Sequence, residues 1–314
     1  MSVAETISPE SVAMAVRVAR KQEETMSPII RAFFDRPTGS LQYVFHCPAT
    51  KKAAIVDPVW NFYPEAAAVT TESADEILEH VRSEKLDVAW VLDTHPHADH
   101  FTAARYLSEK LGAPTAIGHR VTQVQKLWRD LYNLGGDVPT DGSQWDRLFT
   151  EGDTFMVGEI PVRVMFSPGH TLASVTYVAA DAAFVHDTLM MPESGTSRAD
   201  FPGGSAEDLW NSVRDILDLP RDTRLYVGHD YPAAGAAPEY MATVAEHRLR
   251  NRHVKDGIGK AEFIAARIAR DATLPLPGRM LAALQVNIRG GRLPAPEADG
   301  HSYLKIPVGK FEPR

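Results

Sequence analysis

Residues 88–100 read Val-Ala-Trp-Val-Leu-Asp-Thr-His-Pro-His-Ala-Asp-His. The first five, Val88 to Leu92, form a short apolar run of the kind found in a strand buried on both faces. The run leads directly into His95-Pro96-His97-Ala98-Asp99-His100, three histidines and an aspartate within six residues. Pro96 keeps this segment from continuing as a regular helix or a ladder-paired strand, so neighbouring side chains can converge on a loop. Imidazole and carboxylate are ligands that suit zinc, iron or manganese. A lone histidine is usually a satisfied core or surface residue, but so many ionisable groups behind an apolar strand are costly unless something coordinates or pairs them.

Outward from this point, strands and helices alternate. Leu41 to Cys47 and Ala53 to Val56 read as strands joined by the turn 48–52, and Asp75 to Glu84 as a helix with Ile77, Leu78 and Val81 on one face. A helix is expected from about Phe101 to Leu111, closed by Gly112 and Pro114. Val162 to Phe166, Ser174 to Ala179, Ala182 to His186 and Leu225 to Val227 read as strands, and Ala206 to Leu217 as a helix. The pattern suggests sheet layers between helices. Three more motifs sit at strand ends: Ser167-Pro-Gly-His170-Thr171, His186-Asp187-Thr188 and Gly228-His229-Asp230-Tyr231. Each alone reads as a turn, a cap or a strand end; together with the cluster they read as ligand-bearing loops on one edge of a scaffold.

Composition limits the function. The 314 residues are 44% hydrophobic and 24% charged, with a formal net charge of −8. The acidic balance argues against a nucleic-acid binder, and no apolar run approaches a membrane span. Met1 to Arg20 carries Glu5 and Glu10 and lacks the basic start and apolar core of a secretory signal, so a cytoplasmic protein is expected. The one cysteine, Cys47, lies in an apolar stretch and reads as a buried structural thiol. Arg17, Arg20 and Lys21 read as a solvated helical face, Met190-Met191 as packing, and Glu246 to His253 as a mixed-charge helical surface. Residues 1–29 read as an N-terminal helical segment, 30–254 as the catalytic domain, and 255–314 as an extension packed on it, with an extended ending at Tyr303 to Pro307. A homodimer is compatible with this composition.

The ordered set His95-x-His97-x-Asp99-His100, Pro168-Gly169-His170-Thr171, Asp187 and His229 resembles the metallo-β-lactamase superfamily. The resemblance implies an α/β fold, a four-layer αββα sandwich over about residues 30–250. Within it, Gly195-Thr-Ser-Arg198-Ala-Asp-Phe201 is similar to the Gly-x-x-Arg-x-Asp-Phe element of persulfide dioxygenases, and His229-Asp230-Tyr231 to their His-Asp-Tyr run. With the tail Gln285-Val-Asn287 and Leu293 to Glu297, nearly the whole chain looks like their bacterial branch, often called β-lactamase-like hydrolase. It departs from the family at His186, where glycine often precedes the metal aspartate, and in lacking a cysteine before the Arg element.

The resemblance implies one Fe(II) held by His95, His170 and Asp187, the two-histidine, one-carboxylate set of non-haem oxygenases. The implied reaction oxidises glutathione persulfide with O2 and water to sulfite and glutathione. His97, Asp99, His100 and His229 would then orient ligands and handle protons, while Arg198, Tyr231 and Thr171 match family positions that contact glutathione. Arg198 has an alternative, a pairing with Asp200 or Glu193 that only orders its loop. The ligand list alone also allows two zinc ions, one on His95, His97 and His170, the other on Asp99, His100 and His229, with Asp187 bridging, as in a glyoxalase II-like thioester hydrolase. A metal or persulfide sensor would bind without turnover. Arg198-Ala-Asp-Phe201 and the tail favour the dioxygenase.

Overall fold

The computed structural model describes residues 27–311. Arg17, Arg20 and Lys21 lie outside the described residues, as does most of the expected segment 1–29, whose last residue opens the first strand.

Two six-stranded sheets form the centre. The first runs Ile29–Asp35, Ser40–His46, Lys52–Val56, Asp87–Leu92, Thr115–Gly118 and Arg147–Phe149 in spatial order. It begins as antiparallel hairpins and turns parallel from Lys52–Val56 onward. The second runs Thr154–Val157, Ile160–Phe166, Val175–Ala179, Ala182–His186, Arg224–Val227 and Met241–Thr243, with one parallel pair, Ala182–His186 beside Arg224–Val227.

Side-chain alternation explains the layering. Along Ser40–His46, Leu41, Tyr43 and Phe45 enter the core shared with the second sheet, where Phe45 stacks on Phe184 at 5.0 Å between ring centroids. Val44, from the opposite face, joins Ile55 and Val91 against Ile77, Leu78 and Val81 of the helix Glu72–Ser83 and Leu107 of the helix Ala104–Leu111. Beyond the second sheet, the helix Ala206–Leu217 contributes Leu209, Val213 and Ile216, with Ser205 capping its N-terminus through Asp208 N. Helix, sheet, sheet and helix therefore stack as four layers.

The helix expected from Phe101 begins instead at Ala104. Phe101–Thr102 is a short strand pairing with Val59–Trp60, because Phe101 is fully buried against Phe62, at 4.4 Å and nearly parallel. The helix Val121–Tyr132 buries Val124 and Trp128 against Leu284 and Ile288 of the tail. The tail is more regular than its Pro and Gly content predicts, since it carries the helices Lys260–Asp271 and Met280–Asn287, while Tyr303 to Pro307 has no regular structure. Cys47 is buried and free. Among the described residues no helix is long and apolar enough to cross a membrane.

Candidate metal centre

All four histidine-bearing motifs meet at one end of the two sheets. There Leu41 N donates to Gly228 O at 2.8 Å and Asp230 N to Gly39 O at 3.0 Å, tying the start of the strand Ser40–His46 to the loop after Arg224–Val227. Gly228 is needed for this approach, because a Cβ there would stand 2.5 Å from Asp187 Oδ1. Gly169, at φ +131, is a second requirement: a side chain would meet the backbone of Leu209 at the start of the packed helix.

His95, His170 and Asp187 converge, with donor atoms within 4.8 Å of one another. Asp187 Oδ2 lies 3.5 Å from His170 Nε2 and 3.9 Å from His95 Nε2. Hydrogen bonding fixes both rings. Thr94 Oγ1 donates to Asp57 Oδ2 at 2.7 Å, so it accepts the proton of His95 Nδ1 at 3.0 Å. His170 Nδ1 donates to Arg198 O at 2.8 Å. In both rings the proton sits on Nδ1 and the Nε2 lone pair faces Asp187. Burial, then the neighbouring His97, His186 and His170 rings, push His95 well below the usual imidazole range, and burial lowers His170 too. Burial would raise Asp187, but the adjacent His229 outweighs it and keeps the carboxylate ionised.

Two neutral imidazole nitrogens and one anion form a donor set that suits a divalent first-row cation. The fit is supported by His95 Nε2 itself, which is buried without a hydrogen-bond partner; such an atom is costly unless a cation takes it.

The other predicted residues lie alongside. His229 Nδ1 is 2.6 Å from Asp187 Oδ1 and its Nε2 is 2.9 Å from Asp99 Oδ2. Asp99 also takes His100 Nδ1 at 2.8 Å and the hydroxyl of Ser40 at 2.8 Å. Burial opposes protonation of His229, but Asp187 and then Asp99 hold it well above the usual range. His97 Nε2 lies 3.0 Å from Asp57 Oδ1; burial would lower this ring, yet that carboxylate raises it to about 9. His97, Asp99 and His100 form a second group with donors within 4.8 Å, and His100 Nε2 is buried without a partner.

A cavity of about 710 Å³ opens over the first group, with His170, Asp187, Asp99 and His229 in its wall. Arg198 and Tyr231 line it as well, while Thr171 lies in a small neighbouring cleft with Val124 and Trp128. The Arg198 fork is engaged: Nε and Nη2 reach Asp200 at 2.7 and 2.9 Å, and Nη1 reaches Pro275 O at 2.6 Å. Glu193, the other partner considered for Arg198, pairs with Arg250 instead. Tyr231 is exposed and its ring lies nearly parallel to His229, with centroids 5.9 Å apart.

Asp57 and Ser40 are not singled out by the sequence, and Asn287 and His186 enter it only through the family resemblance, without a contact at the site. Asp57, at φ +50, anchors Thr94 and His97. Ser40 holds Asp99. Asn287 Nδ2 donates to the carbonyls of His97 and His100, and its Oδ1 accepts Thr102 N, so the tail braces the histidine loop. His186, the departure from the family pattern, adopts φ +40 and bonds Ser167 and Thr188 through Nε2, placing its ring 5.0 Å from that of His95.

Residues 36–229 match the family described as "Metallo-beta-lactamase superfamily". A "Beta-lactamase hydrolase-like protein" of Xylella fastidiosa is 56% identical over 93% of this chain, and the match spans 67% of that protein. "Glyoxylase B2" of Dictyostelium discoideum is 44% identical over 89% of the chain and 96% of its own length. The human "Persulfide dioxygenase ETHE1, mitochondrial" is 28% identical over 88% of the chain and 96% of its own length. The crystal structure of ETHE1 from Myxococcus xanthus superposes with a TM-score of 0.67 at 29% identity, covering 84% of this chain and all of that one.

Proposed function

We propose that this chain, which belongs to the metallo-β-lactamase superfamily, is a mononuclear iron-dependent persulfide dioxygenase that converts glutathione persulfide, O2 and water to sulfite and glutathione. The observation that carries the reading is the division of labour around Asp187. One carboxylate oxygen faces the bare nitrogens of His95 and His170, and the other is taken by His229. His229 and Asp99 are hydrogen-bonded to each other, and with Asp187 they form a further group whose donor atoms lie within 4.8 Å. The human and Myxococcus proteins support the same reading by their names and their overlap with this chain.

Bound iron would supply the oxygen chemistry, with coordination positions left open by three protein ligands. The chain's own residues do the rest. His95, His170 and Asp187 would hold the ion; Thr94 and the Arg198 carbonyl fix the two rings. His229, which lies between the carboxylates of Asp187 and Asp99 and lines the cavity, would hold or deliver a proton during the reaction. The cavity is of a size suited to a tripeptide thiol.

The alternative is a dinuclear thioester hydrolase. It is favoured by the second donor group, His97, Asp99 and His100, and by the resemblance to a protein named glyoxylase. Metal counting together with oxygen uptake separates the two: the dioxygenase requires one iron per chain and O2 consumption with glutathione persulfide, and the hydrolase requires two ions and no O2.

A further inference from the structure

A peptide with two carboxylates, held in a protein of net charge −8, is best met by cations that are not already paired. Arg198, which also lines the cavity, does not offer an unpaired fork, because its Nε and Nη2 reach Asp200. Nor does Arg267, which is buried with Asp271 at 2.5 Å and Thr196 O at 3.1 Å. Two other guanidinium groups line the same cavity. Arg252 follows the helix Val244–Arg250, and Arg270 sits in the last turn of the helix Lys260–Asp271. Both are exposed, and among the described residues neither side chain makes a hydrogen bond or an ion pair.

We propose that Arg252 and Arg270 form an anion subsite on the cavity wall that takes the carboxylates of the thiol-bearing peptide. This inference rests on the glutathione reading above for the identity of the ligand. The geometry assigns each part of such a ligand a place: the sulfur at the edge lined by His170 and Asp187, and the carboxylates at the two free guanidinium groups. The local field agrees, since burial and then Arg267, Arg252 and Arg270 push the intervening His253 down to about 4, leaving that ring neutral in a positive environment. The subsite also gives the helical tail a part in substrate selection beyond bracing the histidine loop.

The test is calorimetric titration of the metal-loaded protein with S-methylglutathione, whose blocked sulfur removes thiol coordination, and with its diethyl ester, whose carboxylates are neutral. Wild type should bind the acid more tightly than the ester. Arg252→Gln and Arg270→Gln should each weaken binding of the acid about five- to tenfold, leave the ester unchanged, and retain metal and melting temperature. Lysine at either position should restore part of the loss. Equal binding of the acid by wild type and the double variant, or no preference of wild type for the acid, would overturn the subsite. Oxygen uptake by wild type with glutathione persulfide is read separately. Absence of uptake with the expected titrations rejects the dioxygenase and keeps the subsite; uptake with an unchanged KM in the double variant does the reverse.

Discussion

His229 Nδ1 lies 2.6 Å from Asp187 Oδ1, so the carboxylate that would hold the metal is itself held by an imidazole. The two residues should therefore fail differently. Asp187→Ala removes a ligand and should strip the metal together with activity. His229→Ala should retain most of the metal and lower kcat by about 100-fold or more, as expected for loss of a proton-handling group. Metal analysis beside turnover checks this, and equal depletion in both variants would point to a shared two-metal cage.

Arg198 joins Asp200 by two parallel hydrogen bonds and lies over the Phe201 ring at 4.9 Å. Arg198→Ala should destabilise the protein by about 1–3 kcal/mol. Combining it with Asp200→Ala should cost less than the sum of the two single changes. Denaturant titrations of the four proteins measure the coupling. Additive losses with a raised KM would return Arg198 to direct contact with substrate.

Asn287 satisfies two carbonyls of the histidine loop and one amide of the strand beside it. Asn287→Ala leaves all three buried groups without this partner and should cost about 2–4 kcal/mol. Asn287→Asp, which keeps the acceptor but loses both donors, should be no better. Metal affinity should fall in both. A shift of the denaturation midpoint worth under about 1 kcal/mol would show that the tail does not brace the loop.

The strand-end motifs were legible because their information is local: an apolar run followed by ligand-type residues reads the same whatever the rest of the chain does. The expected strands at Ala182 to His186 and Leu225 to Val227, and the helix Ala206 to Leu217, recur with little or no change. What stayed hidden is long-range. Asp57 is one aspartate after one strand, and its partners Thr94 and His97 lie some forty residues on. Asn287 meets the loop across 190 residues. Phe101 fits a helical pattern, but its burial against Phe62 draws it into a strand. For Arg198 the sequence supplied the residue type and both candidate roles, and only the fold distinguishes which acceptor closes its fork.

The neutral ring of His253 makes stability depend on acid. Its Nδ1 accepts from Thr196 N at 3.0 Å, and burial with the three nearby arginines sets it at about 4, against about 6.5 for an unfolded chain. Because the folded value is the lower one, the unfolded chain binds more protons between about pH 6.5 and 4, and stability falls as pH falls through that window. His253→Gln keeps an acceptor and removes the titration, so its melting temperature should drop less from pH 6.5 to 4 than that of wild type. His247, lowered by burial to about 4, contributes with the same sign and preserves part of the slope. Parallel curves for the two proteins would exclude this role for His253.

Protein purified anaerobically without added metal, analysed for elements and then placed in an oxygen electrode with glutathione persulfide, tests the central claim most directly. The account predicts about one iron per chain and O2 consumed as sulfite appears. Two metal ions per chain, rapid hydrolysis of a glutathione thioester and no O2 uptake would contradict it.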